Sequence, residues 1–212
     1  MATAGTQPLF DVSVSTRSPG RNLPQRVGAR LWLPMLALAL MAFPAALVLG
    51  IVRASEIADG GSAVTIEQLR HVGTGVMFVG FAAVFMAISF AVARILGELR
   101  RGGGEVQEAA RRPVETLRMP PTARLFLALM LAATMIVGAA VVLHFVFAAD
   151  VTGSGASLAD SEERFIVLEG VRRAGTALYL LAIGLGLATV VRVLRFQAVR
   201  MRRLPEEPAR DA

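Results

Sequence analysis

The 212-residue chain is 55% hydrophobic and 18% charged, with a mean hydropathy of +0.60. A soluble domain carries about 25% charged residues, so much of this chain is built to face lipid. It has no cysteine, which excludes disulfide frameworks, thiolate metal sites, iron–sulfur clusters and thiol catalysis.

Residues 1–28, rich in Ser, Thr, Pro and Gly, read as a disordered segment. No charge separates Arg30 from Arg53, and a helix spanning a bilayer needs about 20 apolar residues. The first span is therefore placed at about 31–52, with bends expected at Pro34 and Pro44. This stretch is much longer than a signal-peptide core of about 7–15 residues, and the span is expected to be retained. Thr65 and Gln68 read as a capping box that starts the next helix near Ile66. The second span, about 72–94, completes a first hairpin over residues 29–101.

A loop is expected at 102–122. Gly102–Gly104 would break the helix, a short charged helix would run from Glu105 to Arg112, and Pro120-Pro121 would reset the chain. The second hairpin, 123–200, holds spans at about 125–149 and 174–194, with Asp160 or Ser161 capping the last helix. A polar tail, 201–212, follows.

All 22 basic residues are arginine, which reads as the codon use of a GC-rich bacterial genome. Seventeen fall in the N-terminal segment, the 102–122 region with its flanks, and the tail. The other two loops hold five, together with eight acids. Arginine stays on the cytoplasmic side, so both termini are assigned to the cytoplasm of a bacterial plasma membrane. The net charge of +6 then follows from insertion and gives no reason to expect nucleic acid. A basic skirt of this kind also attracts anionic membrane lipid.

The two hairpins resemble one another. Ala29-Arg30-Leu31-Trp32-Leu33 matches Ala123-Arg124-Leu125-Phe126-Leu127. Glu67-x-x-Arg70-x-x-Gly73-Thr74 matches Glu169-x-x-Arg172-x-x-Gly175-Thr176. The fold class is therefore an all-α membrane protein, a four-helix bundle of two tandem, parallel-oriented hairpin repeats. Trp32 and Phe126 are placed as interfacial anchors, and Glu67–Arg70 and Glu169–Arg172 as ion pairs along one helix face. Small residues at four-residue spacing should pack the helices: Ala42 with Ala46 and Gly50, Ala83 with Ala87 and Ala91, Ala128 with Ala132 and Ala140, and Ala182 with Gly186.

No acid lies inside a span, which lowers the case for a proton-coupled carrier, and no hydrolase or nucleotide-binding motif is present. His71 and His144 both fall toward the non-cytoplasmic end. Two facing histidines in a helical bundle can clamp a b-type haem, so both are candidate haem ligands; no metal site beyond that is expected. The leading expectation is a non-catalytic accessory or scaffold subunit that contacts a membrane-protein partner or its own copies. A homo-oligomeric small-molecule or ion transporter is the first alternative, and a haem electron carrier using His71 and His144 the second.

Overall fold

The computed structural model describes residues 10–203. The first nine residues, and the tail beyond 203, lie outside them. Four helices, α1 (Leu23–Ala58), α2 (Ala63–Ala109), α3 (Pro121–Asp150) and α4 (Gly155–Arg203), follow a short strand β1 (Val12–Ser15). A second strand, β2 (Val114–Leu117), links α2 to α3. Each helix is long and apolar enough to cross a membrane, which fits an all-α membrane protein.

Successive helices run antiparallel, so the α1–α2 and α3–α4 turns lie at one end and the β-strands at the other. Gly60, at φ +72°, makes the first of these turns, a backbone conformation that costs glycine little. The helices overrun the expected spans. At 1.5 Å per residue the 49 residues of α4 extend about 74 Å, more than twice the hydrocarbon thickness.

The four helices do not contribute equally. α2, α3 and α4 surround a core of Val92, Phe126, Met130, Ala133, Val137, Tyr179 and Ala182, with Phe85 stacked 4.9 Å from Tyr179. α1 packs against α2 and makes no comparable contact with α3 or α4. Only 11% of its most apolar stretch is buried, against 33% for α2. The α1–α2 seam is close because it is lined by small residues: Ala39, Ala42, Ala83 and Ala87 are all buried. A Cβ on Gly28 would lie 2.6 Å from the Phe90 carbonyl oxygen.

Several expectations are corrected. Part of the segment 1–28 takes regular structure, as β1 and the start of α1. Val12–Ser15 pairs antiparallel with Val114–Leu117, Val12 opposite Leu117, and Ser13 and Thr116 hydroxyls meet at 2.6 Å. Four-residue strands are too short to stand out by alternation alone. α1 starts at Leu23, with the Asn22 N–H donating to Gln25 Oε1 at 3.0 Å and Pro24 in the first turn.

Gly102–Gly104 do not end α2, which continues to Ala109. The role of Gly103 and Gly104 is close approach, since a Cβ on Gly104 would stand 2.6 Å from Ser18 Oγ, and one on Gly103 would collide with Arg200 and Gln197. α2 instead ends at Ala109, and the chain turns away at Arg111, in the left-handed region at φ 53°. The helix starts also move outward. Ser62, not Thr65, caps α2, its Oγ accepting from the Thr65 N–H at 3.1 Å. α4 begins at Gly155, ahead of Asp160 and Ser161, where Ser154 Oγ accepts from the Ser157 N–H at 3.2 Å. Pro34 and Pro44 lie within an uninterrupted α1.

Phe126 is buried in the core against Gly186 and is no interfacial anchor. On α3 the buried face runs through Ala123, Phe126, Met130, Ala133, Val137 and Ala140. Of the small residues expected to pack on α3, Ala140 lies on this buried face and Ala128 and Ala132 are exposed.

Candidate functional site

The buried face of α2 begins at His71, that of α3 ends near His144, and that of α4 carries Ser161, Leu168 and Arg172 in one seven-residue register. All these helix ends meet at the turn end of the molecule. Close approach there is helped by Gly75, where a Cβ would lie 3.3 Å from the Cβ of His144.

The two histidines are fully buried and in direct contact. Their Nδ1 atoms are 3.1 Å apart and their rings 5.3 Å apart between centroids. His71 Nε2 lies 2.9 Å from Ser161 Oγ. Ser161 Oγ donates to Glu67 Oε1 at 3.1 Å, and Arg70 Nη1 donates to the same carboxylate oxygen at 3.2 Å. At the other end Arg172 Nη1 donates to His144 Nε2.

These contacts fix the direction of every hydrogen bond. A guanidinium only donates, so His144 Nε2 must accept and its proton sits on Nδ1. That proton is donated to His71 Nδ1, which places the His71 proton on Nε2. His71 then donates to Ser161, and Ser161 to Glu67. The chain thus runs one way from the Arg172 cation to the Glu67 carboxylate through two neutral imidazoles, across α4, α3, α2, α4 and α2. The tautomers follow from the network itself.

Aromatic rings close the site. The Arg172 guanidinium lies 4.8 Å from the Phe78 ring centroid and 4.9 Å from that of Phe165. Arg70 stacks on Phe165 at 3.9 Å. These rings attract the cations in a place where water is scarce. Arg172 is only 5% exposed, and its Nε has no hydrogen-bond partner.

Sequence reasoning singled out His71 and His144, and the structure brings them together. The Glu67–Arg70 pair forms as expected. Its counterpart does not: Glu169 pairs with Arg173, while Arg172 turns inward to His144. Arg172 stands four residues beyond buried Leu168, and that register was the signal for its burial. Ser161 was read as a cap.

As the rings stand, they hydrogen-bond to each other. Both Nε2 atoms are engaged as well, with Ser161 and Arg172. A haem would therefore require the rings to part and give up partners. Among the described residues, no group of three or more His, Asp or Glu side chains could hold a metal ion. The chain matches no protein-family model, no curated protein and no solved structure.

Proposed function

We propose that this chain is a non-catalytic accessory or scaffold subunit of a bacterial plasma membrane. Both termini would lie in the cytoplasm, and the α1–α2 and α3–α4 turns outside. One observation carries the reading: the buried polar chain between the helices runs from side chain to side chain of the protein. From Arg172 to Glu67 each imidazole nitrogen and the serine hydroxyl has a protein partner, which suits a clamp joining three helices better than a site for substrate. Beneath the clamp lies the apolar layer of Val137, Ala133, Met130 and Phe126, which argues against a transport path through a single chain.

The orientation is supported by charge, because the end that holds the β-strands is also the arginine-rich one. The tandem-repeat reading draws support from the matched glycines. Gly73 faces Leu49 of α1 and Gly175 faces Val137 of α3, so each faces the first helix of its own hairpin.

Affinity purification of the tagged chain from mild detergent tests the proposal. A membrane protein recovered with it at fixed stoichiometry is the expected result. A chain recovered alone that carries solute into liposomes would replace it with the transporter reading. An α-band in the dithionite-reduced spectrum would replace it with the haem reading.

A further inference from the structure

At the opposite end from the histidines lies a cavity of about 140 Å³ between the helix ends and β2. Its wall is apolar where α2, α3 and α4 emerge from their spans, formed by Leu96, Phe126, Leu127 and Phe196. Two arginines, Arg100 and Arg200, also line it, together with neutral polar side chains such as Gln25, Thr116 and Gln197. Arg200 is the unusual one. It is 4% exposed, lies 5.3 Å from the Phe196 ring, and its Nη2 lies against Gly103 of α2, where a Cβ would meet it.

Its Nη1 donates to the Glu115 carbonyl oxygen of β2, but its Nε and Nη2 have no hydrogen-bond partner, and neither does Nε of Arg100. A buried guanidinium with idle donors is costly to a fold unless an acceptor reaches it. These atoms are closed off by the protein, and a turn of the guanidinium groups into the cavity would let an oxyanion satisfy them in the forked geometry that guanidinium favours. An acyl chain would satisfy the apolar wall beside them.

We propose that this cavity binds the phosphate headgroup of an anionic phospholipid, with the acyl chains running along the helix faces into the bilayer. The small volume fits a headgroup and excludes a whole lipid. This inference rests on the chain being embedded in a membrane, but not on its acting as an accessory subunit. Lipid of the cytoplasmic leaflet would thereby hold β2 against α4 and α2.

The test uses the full chain purified in detergent, with lipid retention read by native mass spectrometry. Phosphatidylglycerol should be retained in preference to phosphatidylcholine. Arg200→Gln should weaken that retention on the order of tenfold, and Arg100→Gln, at a less buried position, should also weaken it. Arg203→Gln, at an exposed arginine outside the cavity, should leave it unchanged. If Arg200→Gln does not fold, the Arg100→Gln result decides.

Equal retention of the two lipids, or an equal loss with Arg203→Gln, would overturn the site. Displacement of phosphatidylglycerol by millimolar inorganic phosphate would assign the arginines to a free anion instead. Recovery of the chain in the soluble fraction without detergent would sink the membrane reading itself, an outcome distinct from all of these.

Discussion

His144 is the centre of the clamp because it alone joins the Arg172 cation to the rest of the chain. Replacing it with Phe fills the space but leaves a buried guanidinium without its acceptor and His71 without its donor. Leaving a buried donor unsatisfied costs about 1–3 kcal/mol, and more when the donor is charged, so His144→Phe should lower the melting temperature in detergent strongly. Ser161→Ala removes a neutral link and leaves His71 Nε2–H without an acceptor, a loss of about 1–3 kcal/mol. The expected order of melting temperatures is wild type, then Ser161→Ala, then His144→Phe. The reverse order for the two variants would mean that the histidine ring packs without carrying the hydrogen-bond chain. The two histidines could be picked out as an isolated pair at one end of the spans. Ser161 could not, because a serine near a helix start is more often a cap than a relay.

Elements differ in how firmly they are held. α1 rests on α2 along a seam of small residues, and Gly28 sits where Phe90 comes closest. A Leu there must displace α1, since a Cβ alone would meet the Phe90 carbonyl at 2.6 Å. The native chain has no cysteine, so a Leu49→Cys, Gly73→Cys pair can report on the seam, where a Cβ on Gly73 would lie 3.6 Å from that of Leu49. Gly28→Leu should reduce disulfide formation across this pair while the core of α2, α3 and α4 keeps its melting temperature. Undiminished crosslinking would show that α1 is held by other contacts.

The four long apolar helices were legible because a span needs about 20 uncharged residues at a time, and only four stretches of the sequence supply them. The helix ends were not, because outside the hydrocarbon nothing requires a helix to stop. Gly102–Gly104 looked like a break on propensity, yet tertiary contact with Ser18, Gln197 and Arg200 overrides propensity there. The β1–β2 ribbon joins segments far apart in sequence, and no local pattern announces such a pairing. Arg200 was counted among the topogenic arginines, although it continues the buried register of α4 four residues after Phe196.

Across the whole molecule the polar clamp and the arginine-lined cavity stand at opposite ends of one apolar core. A membrane gives each end its own environment. The clamp ties three helices where the short turns lie, and the β-strands tie the same helices where the arginines gather. Large apolar side chains such as Leu40, Met41, Leu131, Met135 and Leu180 are more than half exposed on the helix faces between the two ends. In water such surface would drive aggregation, and in lipid it is ordinary.

Site-directed labelling of single cysteines in intact cells tests this arrangement most directly. Gly102 and Gly155 suit the purpose, because a Cβ at either position meets nothing within 4 Å. A membrane-impermeant maleimide should modify Gly155→Cys in intact cells, and Gly102→Cys only after the cells are opened. Labelling of Gly102→Cys from outside, or protection of Gly155→Cys, would contradict the account.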